Sequence, residues 1–337
     1  MEKEYFVYDK SAIFAILFLK ILQNRKITFR ITPPLLRLKV ILRVANMTFK
    51  NSMIPNSHTK LFAGVFSRKV LSELASEGFS KTISEVVCRT HTQELFETKT
   101  LSDLFDYYYE QLVNSYRNEY VYKNAIATKL VLGRHKLANV AFFTEFKAWD
   151  TVADVVVVNG TTTAYEIKTE YDSFARLDNQ LEVYQSVFDK VFLVVPESML
   201  QAAYNNTPEH IGILVLNKRF ALSCARDAQS NLRRVSPQII FSCLRKYEYE
   251  YVIVKYFGSL PSVEAIYLRR KCAELFSTLA PEIIQEEFLR SLKARQDIRQ
   301  NKNYIEQLPK SIASLVLSAE LTENELSNLS NKLNDFL

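Results

Sequence analysis

Three consecutive segments rich in valine, threonine and aromatic residues constrain the fold more than any other feature of the sequence. They predict three β-strands, at residues 141–149, 151–158 and 162–169. Asn159-Gly160, between the second and the third, is typical of a hairpin turn. Further patterns predict a helix followed by two strands, at 173–187, 190–195 and 211–216. This order of elements predicts an α/β fold with a mixed central sheet flanked by helices.

The sequence on both sides of this block has a helical period. It predicts an ordinary helical hairpin, a long helix ending at Gly133 and three C-terminal helices, over residues 67–87, 101–132, 263–279, 281–295 and 322–336. Thr322 and Glu325 have the spacing of a capping box. An aromatic segment at 249–256 predicts one more strand. We therefore divide the chain into a basic extension, a helical region, an α/β core and a mainly helical C-terminal region, at 1–60, 61–115, 116–225 and 226–337.

Glycine and cysteine usage excludes several classes of protein. The sequence has only six glycines and neither a Walker A nor a GxGxxG pattern, which argues against a nucleotide cofactor. Its four cysteines are scattered without a CxxC pair, which argues against a zinc site or a disulfide framework and suits a reducing compartment. The apolar run at 13–22 is too short to span a bilayer. We therefore expect a cytoplasmic protein that does not associate with membranes.

Positive charge is concentrated near the N-terminus. Between Lys10 and Lys69 there are 12 lysine and arginine residues and no acidic residue, and residues 1–46 carry 9 basic and 3 acidic residues, equal to the whole net charge of +6. Such an arm can bind phosphate backbones by counterion release. Two other interpretations stay open: a solvated, loosely ordered extension, or a native start at Met47 or Met53.

Three charged residues, Asp154, Glu166 and Lys168, interrupt the apolar strands. Charges in central strands are costly unless they are paired or bound to a metal ion. Because side chains alternate along a strand, Glu166 and Lys168 share a face. Asp154 joins that face only if the turn contains three residues, Asn159-Gly160-Thr161, since a two-residue turn would pair Asp154 with Tyr165.

A three-residue turn would create a site suited to a divalent cation. Two carboxylates are the hard oxygen ligands that Mg²⁺ or Mn²⁺ prefers. Such an ion can activate a bound water, and Lys168 can orient that water or stabilise charge on a phosphate. The alternative is a buried Glu166–Lys168 ion pair with Asp154 in a turn. From these three residues alone, both interpretations stay open.

Asp154, followed by Glu166-Ile167-Lys168, resembles the D…ExK signature of the PD-(D/E)XK, or restriction-endonuclease-like, nuclease superfamily. Gln180 and Tyr184 are similar to the QxxxY motif of its RecB and lambda-exonuclease branch. The resemblance covers about residues 115–200, is to an uncharacterised bacterial branch, and has Ala153 where the superfamily usually has proline. It implies that Asp154, Glu166 and Lys168 are catalytic and that both carboxylates bind the metal ion.

The resemblance also implies an acidic metal ligand on the helix before the first strand. Glu119 is the first candidate for this ligand, and Glu145, on the first strand, is its rival. The alternative for Glu119 is a surface ion pair with Lys123, one helical turn later.

A polar stripe along the helix at 173–187 follows the D…ExK residues. Arg176, Gln180 and Tyr184 recur every four residues, which places them on one helix face. The resemblance implies that they support the active site and contact the nucleic-acid backbone. The alternative is the solvated flank of an amphipathic helix.

The function implied by the resemblance is metal-dependent hydrolysis of phosphodiester bonds, in DNA rather than RNA, with Mg²⁺ or Mn²⁺ as the cofactor. A catalytically silent nucleic-acid-binding or regulatory protein with a nuclease-like fold is the main alternative. A helical partner-binding protein is a third interpretation, but it leaves the charged strand residues unexplained. A homo-oligomer is compatible with the sequence.

Overall fold

The structure is a computed structural model, and it describes residues 56–92, 99–133, 140–296 and 304–336. These residues belong to one compact unit, Pro55–Leu337. The basic extension predicted at 1–60 lies almost entirely outside the described residues, so its interpretations stay open. None of the helices in the described ranges is long and apolar enough to cross a bilayer.

Six strands form one mixed sheet, in which each strand pairs with the next along the chain. They are β1 Ala141–Ala148, β2 Thr151–Val158, β3 Thr162–Ile167, β4 Lys190–Pro196, β5 Gly212–Leu216 and β6 Leu222–Arg226. The pairs β1–β2, β2–β3 and β5–β6 are antiparallel, whereas β3–β4 and β4–β5 are parallel. Strands β2 to β5 are rich in buried valine, leucine and isoleucine, as expected of strands covered on both faces.

Helices flank this sheet, and with it they confirm the predicted α/β architecture. They are α1 Asn56–Val65, α2 Arg68–Glu77, α3 Lys81–Thr90, α4 Leu101–Ser115, α5 Glu119–Ile126, α6 Leu177–Val187, α7 Leu200–Asn206, α8 Pro237–Cys243, α9 Lys246–Phe257, α10 Ala265–Phe276, α11 Pro281–Arg295, α12 Ala313–Ser318 and α13 Glu323–Asn334. A π-helical segment, Ala127–Leu132, continues α5. The predicted hairpin at 67–87 is the α2–α3 pair, which Gly78 joins in the left-handed conformation at φ 69°.

The prediction of one long helix at 101–132 is wrong, because the helix is interrupted between α4 and α5. Arg117 fixes the break by donating hydrogen bonds to the carbonyls of Val113, Asn217 and Lys218, at 2.7–2.8 Å. Two of these partners lie about a hundred positions away in sequence, so a local pattern could not indicate the break. Its consequence is that Glu119 stands in the first turn of a separate helix.

The strand predicted at 249–256 is also wrong, since the segment belongs to helix α9. Tyrosines at 247, 249 and 251 give the sequence an alternating, strand-like appearance. The residues that α9 buries are Glu248, Tyr249, Val252 and Ile253, which have helical spacing. Strand β6 was not predicted, and it adds an exposed edge to the sheet.

The largest hydrophobic core joins the sheet to α6 and to the C-terminal helices. Aromatic rings of Phe146, Phe188 and Phe288 meet there at centroid distances of 5.8–6.4 Å, in edge-to-face or tilted contacts. Phe241 from α8 packs on Phe276 from α10 in the same core. The C-terminal helices therefore support the sheet directly.

The predicted capping box of the last helix is confirmed. The Thr322 N–H donates to Glu325 Oε2 at 2.8 Å, and the Glu325 N–H donates to Thr322 Oγ1 at 3.3 Å. We expect Thr322→Ala to lower the free energy of unfolding by about 1 kcal/mol, because it removes the cap. Chemical denaturation measures this change. Asn331→Ala, an exposed substitution in the same helix, is the control, and an equal loss in both variants would contradict a role of the cap.

Candidate active site

The turn between β2 and β3 contains three residues, Asn159-Gly160-Thr161, as the metal-site hypothesis requires. Val155 pairs with Tyr165 and Val158 with Thr162, and this register places Asp154 opposite Glu166. Gly160 adopts φ 73°, a conformation that glycine reaches without strain. The predicted register of the two carboxylates is therefore confirmed.

Glu166 is buried at the centre of a hydrogen-bonded group. Its side chain accepts a hydrogen bond from Lys168 Nζ at 2.7 Å and one from the Tyr184 hydroxyl at 2.9 Å. Lys168 Nζ also donates to Gln180 Oε1 at 3.0 Å. Gln180 and Tyr184 of helix α6 therefore contact the strand residues, as predicted, and restrain the side chains of Lys168 and Glu166.

Asp154 lies in strand β2 rather than in a turn, so the alternative that placed it in a turn is wrong. Its Oδ2 accepts a hydrogen bond from the Ile167 N–H at 2.7 Å. The buried Glu166–Lys168 ion pair of that alternative does form. The structure thus contains the ion pair and the facing carboxylates together.

Burial and neighbouring charge raise the pKa of Asp154 to about 8. Loss of hydration is the largest cause, followed by the charges of Glu166 and Glu119. The hydrogen bond from Ile167 and the charge of Lys123 act in the opposite direction and offset only part of the shift. In the metal-free protein, Asp154 therefore holds a proton at neutral pH.

Lys123 links the two candidates for the additional acidic ligand. Its Nζ lies 2.5 Å from Glu119 Oε1 and 3.3 Å from Glu145 Oε1. Burial acts to lower the pKa of Lys123, but Glu119, Glu145 and Asp154 together hold it above its usual value. Glu119 does form the predicted ion pair with Lys123, and its charge also acts on Asp154.

The backbone is strained at Glu145, a feature that the sequence did not indicate. Its φ is 56°, in the left-handed region that residues other than glycine rarely adopt. The pairs Thr144–Val155 and Phe146–Ala153 flank it, which places Glu145 opposite Asp154 in the register of β1 and β2. Strained residues of this kind are often found at functional sites.

The charges of this site fit a cation better than an anion. Four carboxylates and two lysines sum to −2 when all are ionised; they are Glu119, Glu145, Asp154, Glu166, Lys123 and Lys168. Carboxylate oxygen is also the donor type that Mg²⁺ and Mn²⁺ prefer. Within the described ranges, however, no three acidic, histidine or cysteine side chains are gathered closely enough to hold a metal ion. A metal-binding role for Glu119, beside Asp154 and Glu166, therefore stays a prediction.

The predicted polar stripe on α6 holds for two of its three residues. The helix begins at Leu177 rather than at 173, so Arg176 precedes it at the N-cap position and is exposed. The chain forms a turn there, in which the Leu177 N–H donates to the Phe174 carbonyl at 2.9 Å. Tyr184 is fully buried rather than solvated, and only Gln180 and Tyr184 contact the site.

Tyr184→Phe tests the hydroxyl that holds Glu166. This hydroxyl lies 2.7 Å from the Val152 carbonyl and 2.9 Å from Glu166. We expect its removal to lower the free energy of unfolding by about 1–2 kcal/mol, because the buried Glu166 carboxylate loses a hydrogen-bond donor. Urea denaturation measures the change, with Tyr204→Phe as control, since that exposed hydroxyl donates to the Ala225 carbonyl. A loss no larger than in Tyr204→Phe would contradict this role.

Comparison with known proteins assigns the chain to a family. The family model described as bacteriophage P4 protein cII matches residues 112–330, well over half of the chain. The chain belongs to the bacteriophage P4 protein cII family. In this cII-family chain, the matched region includes the six-stranded sheet and the site residues from Glu119 to Tyr184.

Two individual proteins resemble parts of this cII-family chain. Protein cII of Enterobacteria phage P4 is 28% identical over 156 residues, which are 45% of this chain and 58% of that relative. The chain thus spans little more than half the length of the relative. A structure of a protein of unknown function from Silicibacter pomeroyi aligns with 42% of this chain and 93% of its own, at 16% identity and a TM-score of 0.28.

Proposed function

We propose that the chain is a metal-dependent nuclease that hydrolyses phosphodiester bonds, with DNA favoured over RNA. The observation that carries the proposal is the register of β2 and β3, which sets Asp154 opposite the buried Glu166 and leaves Lys168 beside them. The resemblance of these residues to the PD-(D/E)XK signature supports the same function. A helical partner-binding role would give no reason to bury these charges.

Asp154 and Glu166 are the residues that would hold Mg²⁺ or Mn²⁺. The donor set fits, because both side chains carry carboxyl groups, and a bound cation would favour the ionised form of Asp154 over the protonated form that it has in the metal-free protein. When bound, such an ion lowers the pKa of a coordinated water and neutralises charge on the phosphate. Glu119 and Glu145 both form ion pairs with Lys123 and would add negative charge near the cation.

The remaining side chains position the reacting groups. Lys168 carries the cationic donor that would bind a phosphate oxygen, and Gln180 restrains its ammonium group. Tyr184 fixes the carboxylate of Glu166 by a hydrogen bond. A preorganised arrangement of this kind avoids the free-energy cost of ordering the side chains during the reaction.

A second function is supported by a specific observation. Lys168 and Tyr184 already give Glu166 a hydrogen bond on each carboxylate oxygen. Because both oxygens of Glu166 already have hydrogen-bond partners within the protein, the site does not need a metal ion to be stable. A catalytically silent nucleic-acid-binding or regulatory protein could retain such a site. Binding of nucleic acid without cleavage would identify that function.

Incubation with supercoiled plasmid, linear duplex, single-stranded DNA and RNA tests the proposal. Each substrate is incubated with Mg²⁺, with Mn²⁺ and with EDTA, and the products are separated by electrophoresis. We expect cleavage only with a divalent cation, and more of DNA than of RNA. If no substrate is cleaved but nucleic acid binds measurably, the nuclease proposal is wrong and the catalytically silent nucleic-acid-binding function takes its place.

A further inference from the structure

The turn after β3 presents an exposed aromatic ring next to the candidate active site. Tyr171 lies three residues after Lys168, a distance of at most about 10 Å along the chain, and 61% of the residue is exposed. Among the described residues, few large aromatic side chains are as exposed. An exposed aromatic ring so close in sequence to Lys168 could contact a ligand bound at the candidate active site.

Hydrogen bonds hold this turn in a defined conformation. Asp172 Oδ2 accepts hydrogen bonds from the Thr169 N–H at 2.8 Å and from the Thr169 hydroxyl at 2.7 Å. The Tyr171 N–H donates to Thr169 Oγ1 at 3.2 Å, and the Asp172 N–H donates to the Thr169 carbonyl at 3.1 Å. The ring of Tyr171 is therefore carried by an ordered turn rather than by a free loop tip.

A second tyrosine, Tyr116, contacts the ring of Tyr171. The rings of Tyr116 and Tyr171 lie 5.2 Å apart between centroids, at an interplanar angle of 41°. Tyr116 belongs to the break between α4 and α5, three residues before Glu119. The aromatic pair is thus attached to the two segments that carry Glu119 and Lys168.

The charge around the pair indicates how a nucleic acid would be held there. Glu170 and Asp172 flank Tyr171, and Glu119 lies three residues beyond Tyr116. These carboxylates repel a phosphate backbone, so phosphate contacts alone give little affinity at this place. An aromatic ring can bind a nucleobase by stacking, which does not require positive charge.

We propose that Tyr171, backed by Tyr116, is a stacking platform for an unpaired nucleobase, and that the preferred substrate is single-stranded nucleic acid. The proposal rests on the nuclease function proposed above, and it names the substrate class of that site. Bases inside a duplex are already stacked on their neighbours, so their faces are not available to a side chain. An unpaired base next to the phosphate at Lys168 can reach the exposed face of Tyr171.

Binding measurements in the Asp154→Asn background test the platform without cleavage of the probe. Fluorescence anisotropy gives the dissociation constants of a labelled single-stranded oligonucleotide and of the duplex of the same sequence. We expect Tyr171→Ala to weaken single-strand binding by about 5- to 100-fold, the effect of losing one base–aromatic contact. Duplex binding should change less than about twofold. Tyr171→Phe and Tyr171→Trp should retain the single-strand affinity, because their rings can still stack.

Tyr247→Ala is the matched control, because Tyr247 is similarly exposed, at 59%, but lies on α9. The platform is refuted if Tyr171→Ala leaves single-strand affinity unchanged, if Tyr247→Ala weakens it as much, or if Tyr171→Phe behaves like the alanine variant.

The same variants, with Asp154 restored, separate this proposal from the nuclease function. For single-stranded substrate, Tyr171→Ala should raise KM more than it lowers kcat, because the platform binds the substrate but does not take part in bond breaking. Cleavage that does not depend on Tyr171 would overturn the platform and leave the nuclease intact. Selective loss of single-strand binding without any cleavage by the wild type would support the platform and overturn the nuclease.

Discussion

Lys168→Ala is expected to lower kcat for divalent-dependent cleavage by about 1,000-fold or more. Its ammonium group is the cationic donor held beside the two carboxylates, and one positioned donor of this kind contributes about 100- to 1,000-fold to a rate. Removing it also leaves Glu166 without its ion-pair partner, which disturbs the metal site itself. Asp154→Asn should cause a comparable loss, since it removes a ligand charge while keeping the side-chain shape.

Single-turnover cleavage at saturating Mg²⁺ measures these losses, and circular dichroism checks that each variant is folded. Asp150→Asn and Lys147→Ala are the matched controls, because both residues are exposed and lie within seven positions of Asp154. They should retain wild-type rates. Undiminished cleavage by Lys168→Ala or by Asp154→Asn would refute the active site.

The strand core and its carboxylate register could be predicted from the sequence because they follow from local periods. Alternation along β2 and β3 fixed which residues share a face, and a three-residue turn was the condition for Asp154 to join Glu166. The structure meets this condition at Asn159-Gly160-Thr161. The capping box at Thr322 was predictable for the same reason, since both partners lie within one helical turn.

Features that depend on distant contacts could not be predicted. The break before Glu119 is fixed by Arg117, which reaches carbonyls about a hundred residues away. The left-handed conformation of Glu145 leaves no pattern in the sequence. Tyr171 was missed because exposure, rather than residue type, distinguishes it from the many tyrosines of the chain.

Asp154→Asn is expected to stabilise the metal-free protein, and the gain should grow as the pH rises from about 4 to 8. The folded state raises the pKa of Asp154 to about 8 through burial and the charge of Glu166, whereas an unfolded aspartate ionises near pH 4. Between these values the folded chain keeps a proton that the unfolded chain releases. The free energy of unfolding therefore falls by up to about 1.4 kcal/mol per pH unit. Asparagine removes this dependence, so we expect the variant's advantage to widen by about 1–3 kcal/mol between pH 5 and pH 7.

Glu166→Gln is expected to have the opposite effect, which makes the two variants a matched pair. The sequence alone predicts that removing either carboxylate would hold or raise stability, because it relieves repulsion. The structure limits this prediction to Asp154, since Glu166 neutralises Lys168, whose side chain is only 11% exposed. Leaving that lysine without its anion should cost about 3 kcal/mol.

Urea denaturation in EDTA at pH 5, 6, 7 and 8 measures both effects, with Asp150→Asn as control. A constant difference in the free energy of unfolding between Asp154→Asn and the wild type over this range would show that Asp154 does not carry the buried proton.

If the site binds Mg²⁺, adding the ion should remove the stability advantage of Asp154→Asn over the wild type. The wild type should then gain stability and release the proton, because the cation stabilises the ionised carboxylate. The stability of Asp154→Asn should increase little with Mg²⁺, because asparagine carries no negative charge to bind the cation. Equal stabilisation of both proteins by Mg²⁺ would place the ion elsewhere.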